Sequence, residues 1–251
     1  SITIPTSKLV DANKSYMVLV RFYLTDRYLY SDGSYGPRSQ NSTKTPIAVI
    51  VSEHLAVALH DVNEGGAEQL QWGSNTTSSE VPTWFHACAN YADLFDINQY
   101  GKAENATGAA RSAVSGYTPA APTGHVWIIP TLINFLQMGI TLGRMTENSL
   151  GDYLSYLNNG YTSFAPSGAA ATGFSPAPST ANFPAMDMTR FNRAFTNVGG
   201  TPPSGTYWTG MECKVGSEYK MATIEISGGK FHLGLKSKTE TAKVRPIIYY
   251  Y

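Results

Sequence analysis

Strand-like apolar runs sit toward both ends of this chain, and helix-like patterning is confined to the middle, so strand and helix never alternate regularly. That order constrains the fold more than any other feature. A doubly wound parallel sheet needs repeated strand–helix–strand units, whereas strands, then helices, then a terminal run of strands fit an α+β architecture. Residues 16–24 are aromatic and β-branched and read as a strand. Residues 31–37 are a turn cluster. The apolar runs 45–51 and 55–59, separated by Ser52-Glu53-His54, predict a hairpin. A polar, Gly-rich loop follows over 63–79, and the spacing of Trp84, Phe85, Ala87, Cys88 and Tyr91 predicts a helix over 83–94.

Two helices are expected in the centre. Thr131 caps the first, carrying Leu132, Phe135, Leu136 and Met138, and the second runs from Thr146 to the Asn158-Asn159-Gly160 stop. Residues 98–124 form a long loop with at most one short helix. Residues 160–185 are a second long tract of Ala, Gly, Ser and Pro, of a length that is often functional when it lies inside a domain. From Tyr207 onward the pattern is β, with strands at 219–226, 230–235 and 243–249 and Gly228-Gly229 as a turn.

Composition narrows the function classes. The chain has 251 residues, 18 Lys+Arg against 18 Asp+Glu, and only 14% charged residues, where about 25% is usual. Zero net charge argues against a nucleic-acid partner, which selects for a basic excess. No apolar run approaches the roughly 18 residues of a membrane helix, so membrane insertion is not expected. A surface this low in charge is rich in Ser, Thr, Asn, Gly and Tyr, as extracellular and virion proteins often are. The N-terminus lacks a signal-peptide pattern, and Ser1 fits either a trimmed Met-Ser start or a cleaved chain. Cys88 and Cys213 are too few for a disulfide scaffold, and sequence does not decide whether they are bridged.

Catalytic and metal chemistry find little support. His54, His60, His86, His125 and His232 lie in no nucleophile-elbow or zinc-protease motif, and His60-Asp61 reads as a capped turn. Asp93, Asp96 and Glu104 lack the spacing of a calcium loop. No metal, no cofactor and no catalytic residue is expected. Sixteen tyrosines with abundant Ser, Gly and Asn match the make-up of binding loops, where Tyr gives contact area at low entropic cost.

Four stretches in order carry a resemblance. They are Leu29-Tyr30-Ser31-Asp32-Gly33-Ser34-Tyr35 with Lys44-Thr45-Pro46-Ile47-Ala48-Val49-Ile50, Trp127-Ile128-Ile129-Pro130-Thr131, Tyr207-Trp208-Thr209-Gly210-Met211-Glu212, and the Gly228-Gly229-Lys230 turn with Val244-Arg245-Pro246-Ile247. Together they resemble C-type lectin-like domains of secreted proteins of gut bacteria and their phages. Relatives of that module include fimbrillin-associated surface proteins and the variable proteins of diversity-generating retroelements. The likeness spans roughly residues 28–249; Gly210-Met211 and Ala48 depart from the usual pattern. It implies two helices, small antiparallel sheets and long irregular loops. Residues 1–27 would be an attachment or oligomerisation segment, and 28–251 the domain, with a diversified or ligand-binding segment over 207–247.

In that reading Trp127, Pro130, Tyr207, Trp208, Glu212, Gly228, Arg245 and Pro246 are scaffold, Arg245 forming a hydrogen-bonded pair, with Glu212 as the proposed partner. Met211, Lys214, Val215, Ser217, Glu218, Tyr219, His232, Leu233, Leu235, Ser237, Thr239 and Thr241 are the exposed ligand-binding positions. Adenine-directed diversification in this family acts on Asn codons, and no Asn follows Asn197. The resemblance implies a non-enzymatic receptor-binding protein or adhesin on a cell or virion surface. Its partner would be a bacterial surface protein or glycan, and analogy with virion proteins implies a homo-trimer. The alternative is a structural or adhesive subunit of a bacterial surface appendage. Calcium-dependent sugar binding is not implied, because the family's acidic and Trp-Asn-Asp triplets are missing. An enzyme of the formylglycine-generating type is a remote alternative, since its paired cysteines have no match and Cys213 stands alone.

Overall fold

The computed structural model describes residues 25–74, 76–78, 84–86, 107–145, 185–215 and 217–250. Within them the chain is mixed α+β. A five-stranded antiparallel sheet has the order β11-β4-β3-β1-β2, with β1 Arg27–Tyr30, β2 Tyr35–Pro37, β3 Pro46–Ile50, β4 Leu55–Ala58 and β11 Ile247–Tyr249. A four-stranded sheet has the order β6-β7-β8-β9, with β6 Trp84–His86, β7 Gly205–Val215, β8 Glu218–Ser227 and β9 Lys230–Ser237. A short pair joins β5 Leu70–Gln71 to β10 Thr241–Ala242. The helices are α1 Ala109–Ser115, α2 Leu132–Gly143 and α3 Met188–Thr196.

The five-stranded sheet is covered on both faces. Along β4, Leu55 and Val57 enter one core and Ala56 and Ala58 a second; along β3, Val49 enters the first and Ala48 and Ile50 the second. This two-residue alternation is the strand period, and burial of both faces makes the sequence read as a continuous apolar run. The first core is closed by Phe135 and Leu136 of α2, Phe191 and Phe195 of α3, and Met211, Ile224 and Phe231 of the four-stranded sheet. The second is closed by Trp72, Val114, Trp127, Met221 and Val244. The adjacent pair Tyr207-Trp208 straddles the two: Tyr207 packs in the first core 5.8 Å from the Phe135 ring, and Trp208 lies in the second, edge-on to Trp72 at 6.3 Å.

The predicted hairpin, the Gly228-Gly229 turn and the Thr131-capped helix are present. Both turn glycines have positive φ (57° and 75°), the backbone of a two-residue I′ turn. At the start of α2 the Asn134 side chain accepts from the Thr131 backbone N–H (2.8 Å) and hydroxyl (2.9 Å), and its amide donates to the Tyr249 hydroxyl (2.9 Å). One cap thus ties α2 to β11.

Three expectations change. Residues 84–86 are a strand, not the start of a helix: they pair in parallel with Glu212–Lys214. Aromatic residues suit either state over so short a window, and the open edge of β7 decides. The last strand does not extend the meander, because β11 crosses to the other sheet and pairs with β4, Tyr249 opposite Leu55. Pro246 has no N–H to continue a ladder with β9, but its carbonyl accepts from Ala58 N–H at 2.9 Å. Helix α3 has no counterpart among the expected elements. Asp187 caps it by accepting from Arg190 N–H at 3.0 Å, and Phe191, Ala194 and Phe195 line its buried face. The strand expected at 16–24, the rest of the helix expected to residue 94, the helix from Thr146 and nearly all of the 160–185 tract lie outside the described residues.

Two outcomes are expected. Phe135 is 1% exposed, so Phe135→Ala should cost about 3–5 kcal/mol of unfolding free energy in a urea titration. Asp32 accepts from the Ser34 hydroxyl and, with Lys44 and the Ser34 backbone, its carboxyl is held down from 3.8 to about 2. A lowered carboxyl stabilises the fold above its ordinary range, and that contribution is lost as pH falls through the folded value. Asp32→Asn should therefore flatten the pH dependence of Tm between pH 3.8 and about 2.

Candidate functional site

The segment 241–250 stitches the sheets together. The Lys243 backbone N–H donates to Thr206 and its carbonyl accepts from Trp208 N–H, both at 2.9 Å, and the Val244 carbonyl accepts from Val62 N–H at 2.9 Å. Arg245, fully buried, pins this segment. Its Nε lies 2.7 Å from the Asp61 carboxylate, and its terminal nitrogens donate to the carbonyls of Ala58 (3.1 Å) and Thr201 (3.0 Å). The other Asp61 oxygen accepts from the Tyr207 hydroxyl at 3.1 Å. Lys243 reaches Asp61 (3.5 Å) and Glu68 (3.1 Å). Burial pushes the Asp61 carboxyl up while the Arg245 and Lys243 charges pull it down.

The partner of Arg245 is therefore Asp61, correcting the expected Glu212. Glu212 is fully buried and pairs with Lys238, also fully buried. The correction has a topological cause: Glu212 lies far along β7, beyond the point where the 241–250 segment crosses it. Lys238 also donates to the Ser78 carbonyl at 2.9 Å and stands 5.6 Å from the centre of the Tyr219 ring. A buried charge pair is tolerable only when its remaining protons are satisfied in this way.

The other positions assigned to the scaffold are mostly interior. Trp127, Pro130, Tyr207, Trp208 and Pro246 are buried, and Gly228 lies in the exposed turn. Trp127 Nε1 donates to the Pro119 carbonyl at 2.9 Å and Trp208 Nε1 to the Leu70 carbonyl at 2.6 Å, so one indole pins a loop and the other the short strand β5.

The twelve positions assigned to a ligand face separate into groups. Met211 (2% exposed) and Tyr219 (8%) are buried, not exposed as expected. The register shift between Trp208 and Glu212 turns Met211 into the first core, and the Tyr219 backbone N–H is taken by the Thr76 carbonyl at 2.7 Å. Leu235 also packs against the first core. Lys214 and Val215 are placed by register, opposite Tyr219 and Glu218, and Leu233 opposite Ile224. His232, part-exposed, sits near the Gly228-Gly229 turn with its ring 3.1 Å from the Ser227 carbonyl.

Five positions do gather: Ser217, Glu218, Ser237, Thr239 and Thr241. The Ser237 hydroxyl donates to Glu218 at 2.7 Å, the Ser237 backbone N–H to Glu240 at 2.8 Å, and Lys220 lies 3.3 Å from Glu218. The Ser237 hydrogen bond, helped by Lys220, holds the Glu218 carboxyl below its usual range. This end of the sheet lies about 17 Å from His232, five strand residues away. Residues the sequence did not single out complete it. Gln71 donates to the Thr239 carbonyl at 2.7 Å, and the Thr241 hydroxyl to Gln69 at 3.1 Å. The polar composition of the 63–79 loop is the only signal for them.

Chemically this end offers hydroxyls, carboxamides, two carboxylates and lysines, a hydrogen-bonding surface. Among the described residues no group of three or more His, Cys, Asp or Glu stands where it could hold a metal ion, and no helix is long and apolar enough to cross a membrane. No family model, curated protein or solved structure matches the chain.

Removing one member of the Asp61–Arg245 pair leaves a buried charge uncompensated. Asp61→Ala is expected to cost about 3–5 kcal/mol in chemical denaturation. An exposed control such as Thr239→Ala should stay within about 0.5 kcal/mol of the parent.

Proposed function

We propose that this chain is a non-enzymatic binding protein, a C-type lectin-like scaffold that presents the polar end of its four-stranded sheet to a bacterial surface protein or glycan. It would act as a receptor-binding adhesin or as a variable protein diversified by a retroelement, at a cell or virion surface. One observation carries the reading. Ser217, Glu218, Ser237, Thr239 and Thr241 form a solvent-facing polar group supported from below by the fully buried Glu212–Lys238 pair. Exposed positions can then change without disturbing the anchors beneath them. Met211 and Tyr219 belong to the frame and drop out of the displayed set. Gln69 and Gln71, from a distant part of the chain, join it.

The test is binding of labelled protein to a glycan array and to a panel of bacterial cells. Ser217→Arg with Thr239→Arg and Thr241→Arg should lower retained signal at least tenfold with Tm unchanged, while His232→Ala at the opposite end leaves it intact. Undiminished binding by the triple variant sinks the assignment of this face. Sequences of the gene from related isolates give an independent check. Substitutions should crowd into 217–241 at exposed positions and spare Trp208, Glu212, Lys238 and Arg245; an even spread over the chain would count against diversification.

A further inference from the structure

Four of the chain's eight arginines, Arg38, Arg144, Arg190 and Arg193, line one cavity of about 670 Å³, remote from the polar end of the four-stranded sheet. We infer that this cavity is a second binding site, one that takes a small ligand carrying a sulfate, phosphate or carboxylate group. Among the described residues only two carboxylates, Asp26 and Asp187, share its walls. Asp187 is already engaged in capping α3 through Arg190 N–H. Among the described residues no ion pair joins a carboxylate to Arg144, Arg190 or Arg193.

Such an arrangement is unfavourable without an anion. Arg190 and Arg193 stand three residues apart on one helix, where like charges repel, and Arg190 lies in the first turn, at the positive end of the helix dipole. Arg190 Nε is buried and finds no hydrogen-bond partner among the described residues. An oxyanion arriving in the cavity would relieve that repulsion by accepting from guanidinium nitrogens at the cavity wall. The site is also partly preorganised. Arg38 is held by donating to the carbonyls of Asn41 (2.9 Å) and Lys44 (2.6 Å), and Arg144 sits at the end of α2 in a left-handed conformation (φ 49°). Arginines brought to one lining from the flank of β2, the end of α2 and α3 supply the planar donors that oxyanions select. Tyr28 and Asn197 add uncharged polar groups to the lining.

The whole chain is titrated by calorimetry with sodium sulfate, sodium phosphate and sodium glucuronate, each against sodium chloride at matched ionic strength. Saturable binding of at least one oxyanion, with a matching rise in Tm, is the expected result. Which of the three binds most tightly tells a sulfate, a phosphate or a carboxylate ligand apart. Arg144→Gln with Arg190→Gln should weaken that binding at least tenfold. Ser39→Asp places a negative charge on the exposed rim and should weaken it severalfold in a variant whose Tm without ligand matches the parent. Arg111→Gln, outside the cavity, should leave affinity unchanged. The inference is overturned if the three salts behave as chloride does, or if affinity survives both the double variant and Ser39→Asp. Neither result bears on the binding of cells or glycans by the sheet end.

Discussion

The contact between Asp61 and Arg245 is the interaction on which the other elements depend. It joins residues at the end of β4 to the segment that runs past all three sheets, and its guanidinium also holds the Ala58 and Thr201 carbonyls. The two oxygens of Asp61 divide the contacts between them, since one meets Arg245 and the other receives the Tyr207 hydroxyl. Through Tyr207 the pair reaches β7, and through Pro246 and Ile247 it sets the register of β11 on β4. A charged group with no exposure is stable here because the Asp61 carboxylate, two backbone carbonyls and, at 5.6 Å, the Phe195 ring surround it.

Around this pin, two cores share one sheet. Small residues on β3 and β4, Ala48, Ala56 and Ala58, face the core that holds the large indoles of Trp72 and Trp208, while Val49, Val57 and Leu55 face the core filled from the helices. Side-chain size is thus complementary across each face, which close packing demands. The dipeptide Tyr207-Trp208 and the dipeptide Ile247-Ile248 each send one member to either core. A short motif of bulky neighbours on a strand therefore marks a layer boundary.

Much of this was legible in the residues. The strand runs at 46–50 and 55–58, the Thr131 cap and the Gly228-Gly229 turn follow local rules of period, capping and φ, and those rules act within a few residues. What depended on distant partners was not legible. Residues 84–86 are a strand because β7 offers an edge, Arg245 meets Asp61 rather than Glu212 because of where the chain crosses, and Met211 turns inward because of a shift in register. Helix α3 was hidden by length: nine residues give one clear turn of apolar spacing, after a long tract of small residues. At the candidate site the exposed hydroxyls were readable, but their companions Gln69 and Gln71 come from a loop whose sequence carries no sign of its destination.

The crossing of β11 onto β4 has a consequence for how the molecule is made. Ala58 and Arg245, which meet in the finished fold, are 187 residues apart in sequence. Closing so long a loop precedes any return from the contacts it permits, which slows folding. During synthesis neither core can be sealed until residues 245–249 have left the ribosome. Until then the edge of β4 lacks its strand neighbour and stands open to wrong pairing. A reading-frame error anywhere in the sheet that bears the candidate face would remove Arg245 and β11 together. A product truncated within that sheet would therefore lack both the Arg245 pin and the strand that closes the edge of β4.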